Sequence, residues 1–178
     1  MGEKKAVIFC SASYSIDPKY NDAAREAVRA LHRSGWTVVS GGTVKGTMGV
    51  IADESVACGG RHIGILPRFM ADVLHPGLSE VVWTDSMGAR KKEMRKDVDV
   101  AIALPGGIGT LDEVIETLVL AKLGLFRGRI FALDVDGFYE PFVRLLDHYV
   151  ETGMLDEGSR AMIRFPKTVE RMMEEISK

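Results

Sequence analysis

The chain has 178 residues, enough for one domain with a sizeable core and a squeeze for two. Lys+Arg 23 against Asp+Glu 25 leaves a net charge of −2, and aromatic residues make up only 7%, which argues against a nucleic-acid or membrane-surface binder. Glycine is the one excess: 19 against 6 prolines, with no collagen period or low-complexity run, which points to backbone turns that approach a ligand.

Lys5–Cys10 reads as a buried strand, too short for a signal-peptide core or a membrane span, so a cytoplasmic location is expected. Asp17-Pro18 supplies an N-cap and a first-turn proline for a helix that runs to Gly35. Trp36–Ser40 is a second strand, closed by the glycine cluster Gly41–Gly49. A helix to Cys58-Gly59-Gly60 and a strand His62–Leu66 stopped by Pro67 follow. Glu80–Trp83 reads as a strand and Ser86–Lys96 as a polar helix, with Lys92, Arg95 and Lys96 on a solvated face. Val98–Leu104 is the next strand, then Pro105–Thr110 and a long helix to Gly124. Ile130–Leu133, a helix from about 138 to 152, and a last strand and helix beyond Ala161 complete the chain. Strands buried on both faces and alternating with helices predict a doubly wound, Rossmann-like parallel sheet with helices on each side, as a single α/β domain over 1–178.

In such a sheet the ligand edge lies beyond the carboxyl ends of the strands, where both glycine clusters fall. The stronger is Pro105-Gly106-Gly107-Ile108-Gly109-Thr110-Leu111-Asp112-Glu113. Its glycines bare backbone N–H groups at a helix N-terminus, the arrangement that binds phosphate. Thr110-x-x-Glu113 also fits a capping box, which would explain those two residues by helix geometry alone. The Gly41–Thr47 cluster imitates a Walker A loop but lacks the lysine between Gly46 and Thr47, so NTP hydrolysis is disfavoured. Ser11-Ala12-Ser13 stands where a dinucleotide fingerprint would follow the first strand, and NAD is disfavoured too. Cys10 and Cys58 read as buried small hydrophobes. They form no CxxC, His32, His62, His75 and His148 are scattered, and no metal is expected. Arg90 stands near the ligand edge, where its planar fork could reach an anion on the glycine loop.

Together these segments resemble the LOG family of cytokinin riboside 5′-monophosphate phosphoribohydrolases, long labelled lysine decarboxylase-like. The family's PGGxGTxxE is intact as Pro105–Glu113, and its MHxRK is Met87-Gly88-Ala89-Arg90-Lys91. Gly41-Gly42 through Met48-Gly49, Gly64–Pro67 and Leu133–Tyr139 are similar as well. The resemblance implies hydrolysis of a nucleoside 5′-monophosphate, cytokinin-type or purine, to free base and ribose 5-phosphate, with no cofactor. By position Arg90 and Glu113 are the implied catalytic pair, and Gly106, Gly107, Gly109 and Thr110 the implied phosphate site. Lys91 and Asp72 would line the substrate site, in a homodimer whose active sites draw on both subunits. The chain departs from the family at Ser11, Thr43, Thr47 and Gly88, and at Asp72, where a longer Glu is usual. These changes bear on base specificity. The alternative is a nucleotide or molybdenum-cofactor carrier of similar fold, which has no need of the Arg90/Glu113 pair. Lysine decarboxylation would need pyridoxal phosphate on a lysine, and nothing in the sequence marks one.

Overall fold

The sheet grows from two adjacent central strands, β1 (Lys4–Phe9) and β5 (Val100–Ala103), in a computed structural model that describes residues 2–178. Around them lie β2 (Trp36–Ser40), β3 (His62–Pro67), β4 (Glu80–Thr84), β6 (Arg129–Ala132) and β7 (Ile163–Arg164). The order is β4-β3-β2-β1-β5-β6-β7, and every pairing is parallel. The chain winds outward from β1 to β4, returns to β5 and winds outward the other way. The order therefore reverses between β1 and β5, and the crevice at their carboxyl ends is the switch point at which such sheets take ligands.

Strand pleating sorts the core into two halves. Ala6 and Ile8 of β1, with Val100 and Ile102 of β5, pack toward α1 (Pro18–Arg33), α2 (Gly46–Ala57) and α7 (Val169–Ile176). Val7, Phe9, Ala101 and Ala103 face α3 (Met87–Met94), α4 (Ile108–Lys122) and α5 (Glu140–Glu151) instead. Apolar residues on both faces of one strand are what a sheet covered on both sides requires. A short α6 (Glu157–Arg160) and two 3₁₀ turns, at Arg68–Val73 and Val135–Gly137, fill connections whose mixed polarity gave no periodic signal. No helix among the described residues is long and apolar enough to cross a membrane.

Local chemistry explains the boundaries. The Asp17 side chain accepts the Lys19 N–H at 3.0 Å and caps α1, and Gly35 leaves it at φ +75°. α2 begins at Gly46, earlier than its flanking glycines suggest. Gly46 has φ +51°, and a Cβ there would press on the Ser13 carbonyl, so glycine lets this helix dock against the β1–α1 loop. After α2 the left-handed residue is Gly59 rather than Gly60. Two sequence expectations are overturned. Cys58 is exposed, beyond the buried face of α2. Arg95 is buried rather than solvated, because Glu116 of α4 meets its guanidinium at 2.8 Å.

Candidate active site

A cleft of about 380 Å³ opens at the switch point. Its walls come from the segment after β1 (Cys10–Ser13), from Gly41 after β2, from Met87, Arg90 and Lys91 of α3, and from Gly107–Thr110, Asp112 and Glu113 after β5. Residues far apart in the chain meet here because each follows, or packs beside, a strand end of the same edge.

The glycine loop forms one wall. α4 starts at Ile108 with Gly107 as its N-cap, and no side chain caps it. Thr110 therefore sits in the first turn, two residues inside the helix, and the capping-box reading of Thr110 and Glu113 is overturned. The N–H groups of Ile108, Gly109 and Thr110 have no acceptor one turn back. The Thr110 Oγ1 is buried and without a hydrogen-bond partner. The glycines divide by purpose. A Cβ on Gly106 would overlap Thr110 Oγ1, so the protein itself requires glycine there. Gly107 and Gly109 have no left-handed backbone, and an added Cβ would meet nothing within 4 Å. Internal packing leaves glycine at these two positions unexplained, and the missing side chains leave the bare N–H groups open to close approach.

Arg90 forms the floor. Ser86 caps α3 by accepting the Ala89 N–H at 3.1 Å, and Arg90 follows on the buried side of this helix, 6% exposed. Its Nε donates to the Ile65 carbonyl at 2.9 Å and its Nη2 to the Gly41 carbonyl at 3.0 Å. A Cβ on Gly41 would overlap Nη2, which accounts for glycine at that strand end. Burial pulls the Arg90 pKa down, but a guanidinium stays charged across the working range.

Glu113 is half-buried on the same wall as Thr110, three residues along α4 and so on the same helix face. Desolvation pushes its pKa up to about 7, with the Arg90 charge pulling the other way. At neutral pH the carboxyl group is thus poised between its two forms. Cys10 completes the back of the cleft. Burial, reinforced by the charge of Glu113, pushes its thiol well above the usual range, so it is no ready nucleophile.

Lys91 lines the cleft, but its ammonium is held at 2.8 Å by both Asp112 and Glu116, which ties α3 to α4. Asp72 is not brought to the cleft: it is exposed on the 3₁₀ turn after β3. Of the four other departures from the family pattern, only Ser11 lines the cleft. Thr47 is buried with its Oγ1 donating to Asn21 Oδ1, Thr43 donates to Met48 Sδ, and Gly88 is exposed on α3. Sequence reasoning missed Met48 and Ile108, which with Met87 form the apolar wall. Met87 stands at the head of the segment that resembles the family's MHxRK, and it carried no signal of its own that it would line the cleft.

Residues 48–176 match the family described as "Possible lysine decarboxylase". The probable cytokinin riboside 5′-monophosphate phosphoribohydrolase LOGL3 of Oryza sativa subsp. japonica is 34% identical over 97% of this chain and 83% of its own length. The cytokinin riboside 5′-monophosphate phosphoribohydrolase LOG of the same plant is 36% identical, over 90% of this chain and 67% of its own. Among solved structures, the molybdenum cofactor binding protein of Rippkaea orientalis superposes with a TM-score of 0.76 at 22% identity, covering 99% of this chain and 97% of its own; at that identity the likeness shows the fold.

The Glu113 carboxyl should titrate with a midpoint near 7 when followed by carbon-detected NMR on glutamate-labelled protein. Arg90→Gln should move that midpoint upward, since it removes the charge that favours the ionised form. A midpoint in the ordinary glutamate range would show Glu113 to be solvated. On the match over residues 48–176 and on relatives at 34% and 36% identity, the chain belongs to the LOG family of hydrolases, the lysine decarboxylase-like group.

Proposed function

We propose that this chain hydrolyses the N-glycosidic bond of a nucleoside 5′-monophosphate, cytokinin-type or purine, to free base and ribose 5-phosphate. The observation that carries the reading is the open start of α4. Gly107 and Gly109 are free of internal constraint beside an uncapped helix N-terminus and an unpartnered Thr110 hydroxyl. A 5′-phosphate there would gain several charge-assisted hydrogen bonds and the favourable end of the helix dipole, the latter about 0.3–2 kcal/mol. The ribose would then extend one turn along α4 toward Glu113, and the base would lie against Met48, Met87 and Ile108.

With the substrate so held, the C1′–N bond breaks and its electron pair leaves with the base. Positive charge builds on the ribose ring, and the ionised Glu113 carboxylate stabilises it. Water adds hydroxide to C1′ and its remaining proton completes the base. Arg90, a fixed charge held by two carbonyls, offsets negative charge on the departing base or anchors the substrate. The family description does not set the chemistry. Lys91, the one lysine lining the cleft, is held in two ion pairs and is poorly placed to form a Schiff base.

A homodimer fits the distribution of apolar surface. Ile108, Leu111, Ile115, Val119 and Leu123 form an exposed stripe along α4, and α5 adds Leu145 and Tyr149. In the opposite helical layer, among the described residues, only Val56 is a large exposed hydrophobe. An apolar stripe that runs the length of one helix, with the opposite layer nearly free of such residues, suits burial against a second copy. Ile108 begins the stripe and also lines the cleft, so the second copy would sit at its mouth.

Chromatography of a panel including AMP and isopentenyladenosine monophosphate should show release of free base. With Glu113 acting as the carboxylate, kcat/KM should rise with pH through about 7 and then level off. Glu113→Gln should cost on the order of 10²–10⁴-fold in turnover with the fold retained. No base from any purine monophosphate would overturn the reading. Gly109→Ala should raise stability to urea by about 0.5–1 kcal/mol, because glycine is a poor helix residue, while weakening phosphate binding at least tenfold. Unchanged phosphate affinity would remove the cradle. By light scattering the protein should run at twice its chain mass, and Val119→Asp should make it monomeric; a monomeric wild type would refute the dimer.

A further inference from the structure

Tyr139 is 5% exposed and does not line the cleft, yet its hydroxyl is spent on the residue from which the glycine loop departs. The pairing of β5 with its neighbours closes at Leu104, whose N–H donates to the Phe9 carbonyl at 2.9 Å, while the Leu133 N–H takes the Ala103 carbonyl at 2.8 Å. Leu104 is fully buried, and its own carbonyl lies past the last strand partner. The Tyr139 hydroxyl donates to it at 2.7 Å. That peptide plane joins Leu104 to Pro105. Because proline fixes φ, its orientation passes stiffly into Gly106, which in turn packs on Thr110.

The phenol itself has little freedom. The Tyr139 N–H donates to Asp134 Oδ1 at 2.7 Å, and the Asp134 N–H donates to the Pro166 carbonyl at 2.8 Å. The ring stands against Phe138, Phe142 and Phe165, with centroids 4.9, 6.4 and 6.3 Å away. We propose that Tyr139 is a positioning residue: through the Leu104 carbonyl it sets the direction in which Pro105–Thr110 leaves the sheet, and so the affinity of the site for phosphate. The proposal rests on the phosphate-site reading given above.

Its test is calorimetric titration of the full chain with ribose 5-phosphate and with inorganic phosphate. Tyr139→Phe keeps the ring and removes only the donor. It should weaken both ligands by about tenfold, the scale of one hydrogen bond to a buried carbonyl. Its helical circular dichroism should stay that of the wild type. Phe142→Leu, which loosens the same aromatic cluster without touching Leu104, should lower the melting temperature and leave phosphate affinity within twofold. Equal affinity in wild type and Tyr139→Phe would overturn the proposal, as would loss of the fold in that variant or equal weakening in Phe142→Leu. A wild type that binds neither ligand would instead refute the phosphate site itself.

Discussion

A guanidinium buried at the carboxyl edge of a parallel sheet constrains everything around it. Arg90 is almost wholly removed from water, and its hydrogen bonds go to two backbone carbonyls, Ile65 of β3 and Gly41 after β2, rather than to a carboxylate. A buried charge is tolerable only when its donors are satisfied, so the residue after β2 and the body of β3 must present the Gly41 and Ile65 carbonyls as they do. Glycine at 41 follows from the same contact. So does the protonation balance of Glu113, which burial alone would push further from its ordinary value. The acid-base character of the cleft is in this sense a balance between burial of Glu113, the larger influence, and one immobile charge that opposes it.

The other constraint is the start of α4. A helix normally finishes its N-terminus with a side-chain acceptor, as α1 does with Asp17 and α3 with Ser86. α4 has none, as is also true of α2 and α5, but α4 starts at the point where the strand order reverses. The unfilled positions suit an anion, and a phosphate bound there would add its own negative charge near Glu113. That charge would raise the Glu113 pKa further in the complex, so the pH dependence of kcat should lie above that of kcat/KM.

Much of this was legible in the sequence because the periodic signals were strong. Both-face burial along Lys5–Cys10 and Val98–Leu104 announces central parallel strands, and Asp17-Pro18 marks its helix start almost to the residue. The glycine loop and Arg90 were visible by type and spacing. The loop's detail was not, since Thr110 and Glu113 match a capping box equally well until the helix is seen to begin at Ile108. Charge on a helix was also misleading: Arg95 looks solvated from its neighbours and is buried by Glu116, which lies 21 residues away. Tyr139 ends a segment similar to the family, but its contact left no signal, because its partner is a backbone carbonyl 35 residues earlier. Long-range contacts to main-chain atoms leave no pattern in side-chain order.

The most direct test of the account is a crystal structure of Glu113→Gln with a bound purine nucleoside 5′-monophosphate. The account predicts phosphate oxygens within hydrogen-bond distance of the Gly109 and Thr110 N–H groups and of Thr110 Oγ1, with the glycosidic bond facing residue 113. A phosphate seated elsewhere, or a nucleotide whose C1′ points away from residue 113, would contradict it.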